Sequence, residues 1–436
     1  MSDPNARDKA RNEANTTMYA AEHRANRVFA LLIVAEALLI LATWPLWTAV
    51  DLFPAVPLFS QLGSVPVIID QLTLAVLLAS TVAYLWSRRT RPDGAAVSAP
   101  VNVPQSNFRR NSLLLMTASA CWLVALNQHR LQSWHWLFIL VTAQSIVLVG
   151  WQRLWGLRLT FAVIYVFAAL SRLGPDVGTG MSRQLLQTAC ALVGVEQPER
   201  NEQLFFSVCL AMTLVELAVG LCLMLPRTRL AAVAVAMTLH GLLLLLLSPI
   251  GLNHQSGVLI WNVLFIVAIP LLFTGPRLPD SNTSLASGQL RLTAAVIVLI
   301  PLSGLFGIAD NWPSWQLYSP RPDVVRLYVD EASVADLPQH VQQFVGTPAP
   351  LGTMCPVRLD RWSLATTGAP IYPEARFQLV VVRNLLLHVP AAAVRITVES
   401  ADSPLWWHRT TRELDRAGPD RLAEDQFLLN QKYARY

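Results

Sequence analysis

The chain has 436 residues, 53% of them apolar and only 14% charged, with 14 tryptophans and a formal net charge of +5. Soluble proteins carry about a quarter of their residues charged, so a purely soluble enzyme is excluded. Charge is also unevenly placed: residues 1–310 hold 20 basic and 15 acidic side chains, and residues 311–436 hold 13 of each.

About 27 polar residues lead into an apolar run from Val28 to about Val50 that carries Trp44 and Trp47. It is too long for a signal-peptide core and reads as a spanning helix. Further runs follow at 67–86, 112–127, 136–151, 158–173, 203–225, 230–247, 257–274 and 291–309. Each is close to the roughly 17–25 residues that cross a bilayer as a helix. The shortest, 112–127 and 136–151, flank the polar stretch Asn127 to His135, and 181–195 is expected to be a short surface helix. Arginine and lysine alternate between loops: with the N-terminus inside, the inner segments hold sixteen and the outer ones only Arg130, Arg172, Arg183 and Arg200. Positive loops stay cytoplasmic, so the N-terminus is placed inside and the C-terminal part outside the cell membrane.

After position 310 the composition turns to that of water-facing protein. Val324–Val329 and Ala393–Val398 read as strands, Val334–Phe344 as a helix, Glu374–Leu387 as either, and Arg409–Tyr436 as helical. The expected fold is an all-α polytopic helix bundle of about nine transmembrane helices with a small extracytoplasmic α+β domain. Its parts are a cytoplasmic segment 1–27, a transmembrane domain 28–310 and an outer domain 311–436. No nucleic-acid partner is expected, because the arginines sit at the ends of apolar runs rather than in an aromatic-laced patch. The five cysteines show neither CxxC pairing nor metal-ligand spacing, so neither a disulfide framework nor a metal site is expected.

Ionisable groups within spanning helices are costly and point to function. Glu36, Glu216 and His240 qualify. Counted at about 1.5 Å per residue from the inner helix ends, they fall roughly 12–15 Å deep, beside Gln144, Tyr165 and Asn262. One buried midplane cluster is therefore expected, though polar side chains also join helices without chemistry. A second group, His129, Arg130, His135, Arg172, Asp176 and His254 with Trp134, Trp136 and Trp261, is placed at the outer surface. There Arg172 reads either as a snorkelling side chain or as a contact for an anion or a quinol oxygen.

Three passages resemble the membrane domain shared by vitamin K-dependent gamma-carboxylases and the horizontally transferred transmembrane (HTTM) proteins. They are Ile164 to Leu173, similar to the family's Tyr-x-x-Ala-Gly-x-x-Lys-Leu segment; His240 through Ile250-Gly251 with Ser256 and Phe265, similar to its His helix and following turn; and Trp312 to Pro322, similar to its aromatic-Ser-Pro-x-Pro exit from the last helix. The resemblance implies a quinone or vitamin K-like hydroquinone site, with His240, Glu216 and Arg172 as catalytic candidates and Tyr165, Arg172, Trp261 and Asn262 as binding ones. The family's initiating base is a lysine, which matches Arg172 in this chain. A guanidinium keeps its proton at any accessible pH, and this argues against ordinary carboxylase activity. The leading expectation is an integral membrane protein that binds a quinone or lipid in a midplane pocket. An enzyme coupling quinol oxidation to carboxylation or another oxidation is the alternative, and a transporter or assembly factor is a third.

Overall fold

The computed structural model describes residues 4–48, 53–89, 103–195, 201–275, 287–403, 408–415 and 418. Each of the nine apolar runs falls largely within a helix, and among the described residues eleven α-helices precede the sheet. They are α1 (Pro4–Ala42), followed by the single turn α2 (Trp44–Trp47), then α3 (Val67–Arg89), α4 (Val103–Leu126), α5 (Ser133–Val147), α6 (Trp151–Arg172), α7 (Gly180–Leu192), α8 (Glu202–Met224), α9 (Arg229–Leu247), α10 (Ser256–Phe273) and α11 (Gly288–Leu305). Among the described residues, seven are long and apolar enough to cross a membrane, where nine had been expected. The other two runs are α4, whose first ten residues are mostly polar, and α5, only 15 residues long. The surface helix expected at 181–195 is α7.

Helix α6 is the centre of the bundle: 78% of its apolar stretch is buried, against 28% for α3 and α8. It packs on α8, α1 and α11, while α9 pairs with α10, α10 with α1, and α3 with α4. Gly220 sets the α6–α8 spacing, because a Cβ there would lie 2.9 Å from the Ala162 carbonyl oxygen and 2.8 Å from a Val166 methyl.

The first helix ends at Ala42, short of the expected Val50. Thr43 Oγ1 donates to the Leu39 carbonyl at 2.7 Å, and Pro45 in the next turn has no N–H to continue the ladder. The Trp47 indole N–H donates to Thr43 Oγ1 at 3.0 Å and turns α2 back onto the bundle.

Beyond α11 the chain forms an antiparallel sheet in the order β2-β1-β3-β4, from β1 (Val324–Asp330), β2 (Met354–Val357), β3 (Val394–Ala401) and β4 (Arg409–Leu414). Leu327 faces Val357 on one side and Ile396 on the other, and Ile396 faces Leu414. Between the strands lie α12 (Gln339–Gln342), α13 (Leu359–Thr367) and α14 (Ala375–Leu386). The amphipathic α14 covers β1 and closes a core of Leu327, Val329, Trp362, Phe377, Val381 and Ile396.

Two expectations need correction and one open reading is resolved. Val334–Phe344 is not one helix, since Pro338 separates a 3₁₀ segment (Glu331–Asp336) from α12. Arg409–Leu414 is a strand, because it finds β3 as a partner, and most of residues 416–436 lie outside the described residues. The ambiguous Glu374–Leu387 is helical.

Candidate functional site

Within the bundle, three of the expected polar residues meet. Tyr165 of α6 donates its hydroxyl to His240 Nε2 of α9 at 2.6 Å, and His240 Nδ1 donates to Asn262 Oδ1 of α10 at 2.8 Å. The Asn262 amide donates onward to the Val258 carbonyl at 2.8 Å, which fixes its orientation. In the neutral imidazole this places the proton on Nδ1 and the acceptor nitrogen toward the phenol. Phe265 packs against both Tyr165 and His240, and Trp261 packs on Phe265 with centroids 4.8 Å apart.

Glu216 and Arg172 form a separate pair, the Arg172 Nη2 donating to the Glu216 carboxylate while its Nε donates to the Ala168 carbonyl at 3.0 Å. Gly220 lies one turn from Glu216 on α8, so the close approach it permits also brings that carboxylate to α6. Arg172 is thus an ion-paired side chain rather than a lone snorkelling one. It also lies close enough to act on the Tyr318 phenol.

The single midplane cluster is not formed. Glu36 is bonded to His135 Nδ1 at 2.6 Å, apart from His240 and its partners, and His135 is wholly buried beside Trp47, Trp134 and Phe138. The depth estimate failed because α1 begins earlier and ends earlier than its apolar run. Six residues from the end of α1, Glu36 lies about 9 Å from that end, level with the first turn of α5. Gln144 instead donates to Thr160 Oγ1 at 2.9 Å, against Gly156.

The expected surface group is corrected as well. Arg130 is 1% exposed; it grips both carboxylate oxygens of Asp70 and donates to the Leu46 and Trp47 carbonyls at 3.2 Å. Asp70, in the first turn of α3, was missed by sequence reasoning; its one signal was its position as the only acid in an otherwise apolar run. His129 is 1% exposed between Phe53 and Phe377, its Nε2 donating to the Pro370 carbonyl at 2.9 Å. Burial drives the His129 imidazole down to about 4, against the pull of the Pro370 bond and with help from Arg130. Asp176 stays in the turn Pro175–Gly178 and forms no ion pair with Arg172. Trp136 packs against the main core.

A second missed set joins the sheet to the bundle. Arg376 of α14 makes two bonds to Asp310, one of 2.8 Å, and its Nε donates to Gln128 Oε1 at 2.8 Å. Tyr372 also donates to Asp310, and the Glu374 carboxylate accepts from the Asn311 backbone and side chain, both at 2.7 Å. Burial, reinforced by the Asp310 charge, pushes Glu374 up to about 8.

At this sheet end of the bundle lies a cavity of about 320 Å³. Trp134, Trp261 and His254 line it from the bundle, Trp312, Leu317 and Tyr318 from the connecting segment, and Gly368 to Pro370 from the sheet side. Four of its lining side chains, Trp134, Trp261, Trp312 and Tyr318, are aromatic. Trp261 belongs both to that wall and to the ring stack leading to His240. The cavity is therefore at the helix ends and reaches, through Trp261 and Val258, the neighbours of Asn262 in the buried triad. Tyr318 and Trp315 reach their places through left-handed backbone, with φ of 53° and 58°.

No family model, no curated protein and no solved structure matches this chain.

Proposed function

We propose that this is a multi-pass cell-membrane protein, N-terminus cytoplasmic and sheet part extracytoplasmic, with the HTTM and vitamin K-dependent carboxylase-like architecture. It binds a quinone or another ring-headed lipid in the aromatic cavity. One observation carries the reading: a cavity walled by Trp134, Trp261, Trp312 and Tyr318, with His254 as its polar handle, opens where apolar helices end. Its volume is at the lower end of small-molecule sites, about 300–1,000 Å³. That suits a planar head with an apolar tail left outside among lipids. Aromatic faces stack on such a head, and the His254 imidazole, its Nδ1 bonded to Gln255 Oε1, adds a polar ring edge beside them.

Purified protein titrated with a short-chain naphthoquinone should show saturable quenching of tryptophan fluorescence. Trp261→Ala and His254→Ala should each weaken it about tenfold, the loss of roughly one good contact. Quenching that is linear in quinone and identical in both variants would end the proposal.

The hydrogen-bonded Tyr165–His240–Asn262 series favours an enzymatic second reading, in which neutral His240 serves as base through the Tyr165 phenol. Reduced naphthoquinone, oxygen, labelled bicarbonate and a glutamyl peptide supplied together test it. Formation of neither oxidised quinone nor labelled peptide would leave binding as the function.

A further inference from the structure

At the end of the bundle away from the sheet, three guanidiniums converge on two helix C-termini. Arg158, in the second turn of α6, is 3% exposed. Its Nε donates to the Leu272 carbonyl at 2.6 Å, its Cζ is 5.9 Å from the Phe273 ring centroid, and its Nη2 has no hydrogen-bond partner. Arg24 of α1 donates to the Thr274 carbonyl, beside Gly275. Arg229, at the start of α9, donates to the Leu223 and Met224 carbonyls at 3.0 and 3.3 Å. The charged groups near enough to act on Arg158 are Arg229 and Arg24, and both repel it. Among the described residues, none of the three arginines is ion-paired with an acid.

Capping of helix C-termini accounts for part of this arrangement. Each terminus offers about half a negative charge, so two of them leave roughly two of the three positive charges uncompensated. Capping explains where Arg24 and Arg229 point, but it leaves the buried Nη2 of Arg158 unused. Snorkelling explains Arg158 no better, because a snorkelling head reaches water and this one is inside. A buried cation without a counter-charge is costly. An unused guanidinium edge with two charged neighbours matches the oxygens of a phosphate group, which guanidinium binds by paired N–H bonds.

We propose that Arg158, Arg24 and Arg229 bind a phosphate group, that of an anionic phospholipid headgroup. Arg158 forms the floor, and the half-buried Arg24 and Arg229 form the rim. The site is at the opposite end from the aromatic cavity and stands whatever that cavity holds.

The test is native mass spectrometry of the full chain in neutral detergent, titrated separately with phosphatidylglycerol, phosphatidylcholine and inorganic phosphate. One phosphatidylglycerol should bind about tenfold or more tighter than phosphatidylcholine, since only the former lacks an opposing cation. Arg24→Gln and Arg229→Gln, at partly exposed positions, should each weaken it several-fold. Arg158→Gln should abolish the preference, while Arg158→Lys keeps the charge without the fork and should retain only part of it. Should Arg158→Gln fail to fold, the rim variants decide. Equal binding of the two lipids, or unchanged phosphatidylglycerol binding in the Arg24→Gln/Arg229→Gln double variant, overturns the proposal. Inorganic phosphate that displaces phosphatidylglycerol at equal concentration overturns the lipid as the source.

Discussion

The junction between bundle and sheet should make stability depend on pH in an asymmetric way. Glu374 is raised from 4.5 to about 8 by burial first and then by Asp310, with Arg376 pulling the other way. Between those values the folded chain holds a proton that the unfolded chain has released, so stability is lost as pH rises through the interval. His129 is lowered from 6.5 to about 4, chiefly by burial. Here the unfolded chain takes the proton first, so stability is lost as pH falls from 6.5. Each group contributes a slope of about 1.4 kcal/mol per pH unit, of opposite sign. The slopes cancel between 4.5 and 6.5, giving a plateau. From 6.5 to about 8 Glu374 acts alone, over about 1.5 units, and about 2 kcal/mol should be lost. Below the plateau His129 acts alone over only about half a unit, so the acid-side loss is smaller. Thermal unfolding of detergent-solubilised protein, followed by tryptophan fluorescence from about pH 4 to about pH 9, measures the profile. Glu374→Gln should flatten the alkaline fall, and His129→Gln should turn the plateau into a steady decline with rising pH. An alkaline fall as steep in Glu374→Gln as in the parent would refute the reasoning.

Further outcomes follow from the geometry. Asp70→Asn leaves the buried Arg130 charge without its counter-ion and should cost about 3–5 kcal/mol in denaturant unfolding, whereas the paired replacement Asp70→Leu/Arg130→Met should recover most of it. Gly220→Ala places a methyl against the Ala162 carbonyl and should destabilise by about 1–3 kcal/mol, read as a lower unfolding midpoint. Gly241→Ala, on the exposed side of α9 with open space at its Cβ, should raise the midpoint, by up to about 1 kcal/mol of helix propensity. Arg172→Lys should not gain carboxylation in the labelled-bicarbonate assay, because Glu216 would hold the new ammonium charged; only Arg172→Lys/Glu216→Gln frees a candidate base.

Helix positions were legible because a segment such as 203–225 is mostly apolar on every face, Glu216 being its one charged residue, and this is set by composition alone. The triad was partly legible: Tyr165, His240 and Asn262 share a depth that can be counted along their helices. Glu36 shows where counting fails, since a helix end set by Thr43 and Pro45 moved it by several residues relative to the apolar run. Contacts between distant segments carry no local signal. Asp70 meets Arg130, Glu374 meets Asn311 and Arg376 meets Asp310 across separations of 60, 63 and 66 residues. In the sheet, β2 is four residues long with a proline, Met-Cys-Pro-Val, and only pairing with β1 makes it a strand.

The aromatic cavity takes one wall from the bundle and another from the connecting segment and the Gly368–Pro370 turn. A molecule bound there touches both halves of the chain at once, so it exists as a site only while the halves are docked. By reciprocity, an occupant that prefers the docked form must strengthen docking by the same factor by which docking strengthens its own binding. The His129 bond to Pro370 and the Glu374 bonds to Asn311 sit beside that wall, in the residues that hold the halves together. Protonation at the junction is thereby linked to occupancy of a cavity that neither group touches, and the two reach each other through nothing more than the shared seam.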